Sequence, residues 1–196
     1  MQGGTVKSNR YAMLVLSLVA LYGVGLFGQN KPKDSFGKID KAEVVVKQVK
    51  PNQFSFQLTW DNDEKLAAFS YPLIVKGKDF TMHYDSVSWK GRADYFAVKS
   101  VSPKDSIQQV LVGFFADLSG KNPPLAEGKG GLATLYFTAN TGKAPRTVDV
   151  CDIMVDTVFI APSNRLYGVT PDGLGEVHPI YNVVRQTAAG QMATCK

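Results

Sequence analysis

Four side chains with oxygen donors stand together at Asp61, Asn62, Asp63 and Glu64. Carboxylate and amide oxygens this close suit a hard cation, calcium above all. Asp61, Asp63 and Glu64 are therefore the candidate calcium ligands. Their spacing is not that of an EF-hand loop. A solvated hairpin turn is the alternative, since Asp and Asn are favoured there for backbone reasons. The two histidines, His83 and His178, fall in no HExxH motif, and no GxSxG nucleophile elbow is present. Gly128, Gly130 and Gly131 precede a strand instead of opening a helix, so they lack the helix N-terminus that holds phosphate. They read as a loop whose glycines supply positive φ. A glycosidase needs two carboxylates facing each other, one with a raised pKa, and a solvated acidic turn gives no cause for that shift. The chain is read as non-enzymatic, with no cofactor beyond a candidate structural calcium.

Binding chemistry rests on rings and one further acid. Trp60, Trp89, Tyr84, Tyr95, Tyr136 and Tyr167 would stack on sugars if several lined one flat face. Trp60 shares a strand face with Phe54 and Phe56, and Trp89 shares one with Val87, so both read as core. Tyr136, between Thr134 and Thr138, reads as half-exposed. Asp117, Tyr136, Tyr84 and Tyr95 are the candidate binding residues. Two cysteines, Cys151 and Cys195, are an even count, which in an exported protein favours a disulfide. Two free thiols are the alternative.

These residues must be carried by strands. Phe54, Phe56, Leu58 and Trp60 alternate with Ser55, Gln57 and Thr59, the period of a strand buried on one face. Ala133, Leu135, Phe137 and Ala139 alternate with Thr134, Tyr136 and Thr138 in the same way. Ile107 to Ala116 is almost continuously apolar, as suits a strand inside a packed sandwich. Leu66 to Val75 is apolar but interrupted by Pro72, which implies an edge or a bulge. Further strands are predicted at 42–49, 85–90, 95–101, 148–151, 155–161, 164–169 and 175–180. Turn residues separate them, and no helical periodicity follows residue 30. The expectation is an all-β, jelly-roll-type β-sandwich of about nine strands, closed over Phe54, Phe56, Leu111, Leu135 and Phe137.

The central stretch resembles a known family. Phe114-Phe115-Ala116-Asp117, a loop, and then Gly130-Gly131-Leu132-Ala133-Thr134-Leu135-Tyr136-Phe137 are similar to the central strands of cohesin domains. The resemblance spans roughly residues 41–181. Between His83 and Val98 the chain departs from the family's pattern. The resemblance implies a nine-stranded jelly roll, shared with related carbohydrate-binding modules, and a partner docked on one flat face. Dockerin is the partner it suggests, although this chain has no dockerin repeat of its own.

The remaining sequence bears on location. Lys7 and Arg10 precede an apolar run from Tyr11 to Phe27, the signature of secretory export. Gly23 and Gly25 offer a cleavage site, and Gly28 with Gln29 a second. The run is near the shortest that spans a bilayer, so an uncleaved anchor helix is the alternative and the only membrane contact expected. Residues 1–28 are read as signal peptide or anchor, 29–39 as linker, 40–181 as the sandwich and 182–196 as a tail. The net charge is +5; taking Lys7 and Arg10 from the 22 basic residues leaves 20 against 17 acidic ones, or +3. So small an excess argues against nucleic acid. A secreted or cell-surface protein with three candidate roles results. The first is a module that binds a protein partner in an extracellular assembly. The second is a carbohydrate-binding module on polysaccharide. The third is a subunit that forms homo-oligomers by strand exchange, with segment 29–39 as donor. A planar strip of exposed rings would mark the second role, and a flat face of mixed polar and aliphatic residues the first.

Overall fold

The alternating stretches form strands with their large apolar side chains on one side. The computed structural model describes residue 34 and residues 37–117, 119–142, 146–157, 166–173 and 175–195. The expected signal or anchor helix and most of the expected linker lie outside these residues. Among the described residues no helix is long and apolar enough to cross a membrane.

One sheet contains β1 (Lys41–Lys50), β2 (Gln53–Asn62), β4 (Thr81–Ser88), β7 (Gly128–Asn140) and β11 (Ile180–Gln186), in the order β11-β1-β2-β7-β4. The other has the order β10-β9-β3-β6-β5, from β3 (Ala68–Gly77), β5 (Val98–Lys104), β6 (Gln109–Phe115), β9 (Tyr167–Val169) and β10 (Glu176–Val177). A short strand, β8 (Ile153–Asp156), pairs with the far end of β3. Every ladder is antiparallel except β1 with β11, which runs parallel from Lys41 opposite Ile180. The fold is thus an all-β two-sheet sandwich of eleven strands among the described residues. The two beyond the expected nine come from short pieces, since β9 and β10 have only three and two residues.

Phe54, Phe56, Leu58 and Trp60 of β2 are wholly buried against Tyr71 and Leu73 of β3 and Val112 of β6, in one core cluster. Trp60 meets Phe69 and Tyr71, and Phe56 meets Phe137, at tilted or edge-on ring angles. Leu111 departs from expectation. In β6 the buried apolar side chains are Val110, Val112 and Phe114, and Leu111 lies on the opposite face. A strand apolar on both sides carries no period-two signal, so its inward face was not legible from the sequence.

Other boundaries also moved. Pro72 lies in a strand flanked on both sides, not in an outermost one. It falls between Ala68–Ser70, paired with β9, and Ile74–Gly77, paired with β8, where that side of β3 has no ladder partner among the described residues. A residue without an N–H is tolerated at such a gap. Residues 91–95 form turns before β5, which starts at Val98 and continues through Pro103. The strand expected at 148–151 is replaced by a 3-10 turn over Val150–Asp152, where Asp149 and Asp152 form a capping box. Much of the strand expected at 155–161 lies outside the described residues. The first residues of the expected tail, 182–186, continue β11 instead. Cys151 and Cys195 are bonded, with their Cα atoms 5.3 Å apart, which ties the chain's end to the 3-10 turn.

Candidate functional site

The two sheets present outer surfaces of opposite chemistry. On the sheet centred on β1 and β2, the outward side chains include Lys41, Glu43, Lys47, Gln57, Thr59, Thr134, Thr138 and Asp85, a charged and hydroxyl-rich face. On the sheet centred on β3 and β6, strand register sets the outward residues in rows. Val98, Phe115, Ala68 and Val169 form the first. Ser100, Gly113, Ser70 and Tyr167 form the second, and Ser102, Leu111 and Pro72 the third. Exposed Glu176 of β10, opposite Val169, ends the first row; no other charged residue stands in the three, and the row after them carries Lys104 and Asp156. Val98 is 47% exposed, and Met154 of β8 is 52% exposed beyond the third row. Ser100, Gly113 and Ser70 put small side chains in the middle row, beside Tyr167. Period-two geometry places these residues opposite the core-facing Phe69, Tyr71, Leu73, Val110, Val112 and Phe114.

The four candidate binding residues divide between the two sheets. Asp117 follows β6 and organises the loop after it. Its carboxylate accepts the Ser119, Lys121 and Asn122 backbone N–H groups at 2.8, 2.9 and 3.2 Å and the Ser119 hydroxyl at 2.8 Å. The Ser119 bonds above all hold its carboxyl below the usual range. Asn122 then donates to the Tyr95 and Ala116 carbonyls, and the Tyr95 hydroxyl donates to the Pro124 carbonyl at 3.0 Å. Asp117 and Tyr95 therefore meet at the rim of the largely uncharged face, beside its first row. Tyr84 and Tyr136 belong to the other sheet. Tyr84 is half-buried, edge-on to Phe137, and burial raises its hydroxyl pKa. Tyr136 stands 36% exposed among polar neighbours. Trp60 is wholly buried, and Trp89 packs edge-on against Phe114. A hollow of about 250 Å³ between β11, β1, β2 and β7 is lined by Lys41, Ala42, Glu43, Thr59, Asp61, Lys129, Ile180 and Asn182, with no ring.

Gly128, Gly130 and Gly131, expected as a loop before a strand, lie within the first residues of β7 and serve mainly close approach. Of Gly128, Gly130 and Gly131, only Gly128 has a positive φ. A side chain on Gly130 would strike Arg92, and one on Gly131 would strike Gln57. The Arg92 guanidinium donates to the Trp60, Ala126 and Gly128 carbonyls and to Asn62 Oδ1, fastening the turn after β4 to the start of β7.

The acidic turn gathers a different set of acids from the one expected. Asp34, Asp40, Asp63 and Glu64 each offer a carboxylate oxygen, and the four atoms lie within 4.8 Å of one another. Asp61 is not among them. In β2 the side chains of Trp60 and Asn62 are buried, and Asp61 between them faces outward to the hollow. Asp40 joins because Lys41 pairs with Asp61, which sets the residue before β1 beside the end of β2. Residues 34 and 40 are distant in sequence from 63 and 64, so only the hairpin register could have linked them. Asp40 is almost wholly buried, and its Oδ2 accepts the Trp60 indole N–H at 2.6 Å. Burial, with the Asp34 and Asp63 charges adding to it and the Trp60 bond opposing, raises its pKa to about 6. Burial, followed by the charge of Asp40 and contact with Asp63, pushes Glu64 up to about 8. The Lys38 backbone N–H, 2.7 Å from Asp63 Oδ2, leads in holding Asp63 low.

No protein-family description matches the sequence, and no curated relative does either. Solved structures match the fold. The third cohesin of ScaC from Acetivibrio cellulolyticus, in complex with a ScaB dockerin, is 14% identical with a TM-score of 0.56, covering 76% of this chain and 99% of that one. A type I cohesin–dockerin complex from Clostridium thermocellum, Coh-OlpC with Doc435, gives 12% identity and a TM-score of 0.54 over 81% and 99%. The seventh ScaB type I cohesin of Pseudobacteroides cellulosolvens gives 11% and 0.52 over 76% and 93%. The fold is a cohesin-like β-sandwich, and at these identities the likeness is one of fold.

Proposed function

We propose that this cohesin-like sandwich is an exported, non-catalytic docking module whose largely uncharged face, on β5, β6, β3 and β9, receives a folded protein partner of the dockerin class. The observation that carries this reading is the face itself: a central patch of aliphatic, aromatic and small hydroxyl residues on paired strands, with charge only at its margins, at Glu176, Lys104 and Asp156. Depletion of charge at the centre with polar groups around it is the composition of a protein interface core. The solved cohesins with the same fold are described in complex with dockerins. The disulfide between Cys151 and Cys195 accords with an oxidising, extracellular setting. Carbohydrate binding draws less support, because both tryptophans pack in the core and the polar hollow has no ring to stack on a sugar.

Titration calorimetry against dockerin modules from exported proteins of the same organism tests the reading. Gly113→Arg and Leu111→Glu are expected to weaken binding at least about tenfold, the scale of losing a central contact. Tyr136→Ala, on the opposite face, is expected to leave affinity unchanged. Retention on insoluble polysaccharide with no protein partner would reject the proposal.

A further inference from the structure

Among the carboxylates that converge beside the start of β1, Asp40 and Glu64 hold buried oxygens that nothing satisfies. Asp40 is 2% exposed, its Oδ2 is committed to Trp60, and its Oδ1 has no hydrogen-bond partner. Both oxygens of Glu64 are likewise out of water without a donor. No Lys, Arg or His nitrogen among the described residues lies within ion-pair distance of Asp40, Asp63 or Glu64. Arg92, the nearest guanidinium tied to this region, spends its N–H groups on carbonyls and Asn62. Buried carboxylates left this way must take up a proton, be paired or be bound to a cation. The backbone also closes over the group. Gly37 has a φ of +80°, and a Cβ there would come within 2.3 Å of Asp63 Oδ2. The Lys38 amide that follows donates to that oxygen, and the Asp40 amide donates to Asp34 at 3.3 Å.

From this convergence we propose that Asp34, Asp40, Asp63 and Glu64 form a structural calcium site that clamps the segment entering the sandwich onto the end of β2. The donor set is all oxygen, which favours a hard cation over zinc or copper. A calcium ion bonds oxygen at about 2.4 Å, so ligands on opposite sides lie about 4.8 Å apart. That distance bounds the separations among the four donor atoms. Magnesium, with its strict octahedral geometry, is less tolerant of four carboxylates set by separate backbone segments. Glu64, with two unpartnered oxygens, is the member able to bind bidentately. The bound ion would fix the chain's entry through Asp34 and Asp40 to the hairpin end through Asp63 and Glu64.

Terbium luminescence and thermal unfolding on the intact protein test the site. The Trp60 ring, bonded to Asp40, is placed to sensitise a terbium ion held there. Excitation of tryptophan is expected to give terbium emission that calcium displaces. At pH 7, calcium at about 1 mM, the range of extracellular sites, is expected to raise Tm relative to chelator, with magnesium raising it less. Asp63→Asn and Glu64→Gln should abolish both signals while keeping the near-UV circular dichroism of the fold. Asp61→Asn should leave both intact. Equal Tm in calcium and chelator without sensitised emission would overturn the proposal. So would signals that persist in the Asp63→Asn, Glu64→Gln double variant.

Discussion

At the residue scale, the carboxyl group of Glu64 has the largest stated consequence. Its pKa is pushed up to about 8 and that of Asp40 to about 6, both first by burial. A group whose folded pKa exceeds its unfolded value contributes stability that is complete below the unfolded value and is lost as pH rises through the folded one. In chelator, Tm is therefore expected to fall from about pH 4.5 upward, through about 6 and on through about 8. Glu64→Gln should remove the higher part of that decline. Unfolding scans across this range check it, and superimposable profiles for the two proteins would contradict it. Sequence reading reached two members of this group, Asp63 and Glu64, because they are adjacent. Strand alternation turns Asp61 outward, away from the group, and Asp34 and Asp40 join it only through tertiary pairing. Asp117 was legible as notable but not as to role: four hydrogen bonds spend its carboxylate on its own loop.

At the element scale, β11 and the disulfide act together. β11 is an outermost strand, held to β1 by parallel pairing and followed by a chain end bonded to Cys151. The bond spans a sequence separation of 44 residues, and closing a loop of that size stabilises by about 2–4 kcal/mol. Replacing both cysteines by serine should lower the stability by that order in denaturant titration. Amide exchange should then accelerate first in β11 while β2 and β7 stay protected; uniform acceleration would contradict a local clamp. The alternating strands β2 and β7 were fully legible, since each buries one face. β11 was not. Its partly exposed side chains carry no sharp alternation, and a parallel partner more than a hundred residues away leaves no turn signal. Pro72 marked a real interruption in pairing, but one produced by the change of neighbour from β9 to β8.

At the scale of the whole molecule, the sandwich has one charged, hydroxyl-rich face and one whose central rows are largely uncharged, and the difference explains the ambiguity of β6. Its near-continuous apolar run comes from Val110, Val112 and Phe114 on the core side and from Leu111 and Phe115 on the outer side. The fold class could be read from period-two patterning. The outer face could not, because apolar residues on both sides of a strand look like full burial until the second layer is placed. We propose that this outer face is where the partner binds. Hydroxyl-radical footprinting of the protein with a bound dockerin module tests it most directly, by side-chain labelling in the free and bound states. The expected result is protection of Val98, Leu111, Phe115 and Tyr167, with Tyr136 labelled equally in both states. Protection of Tyr136 together with unchanged labelling of Leu111 and Phe115 would contradict it.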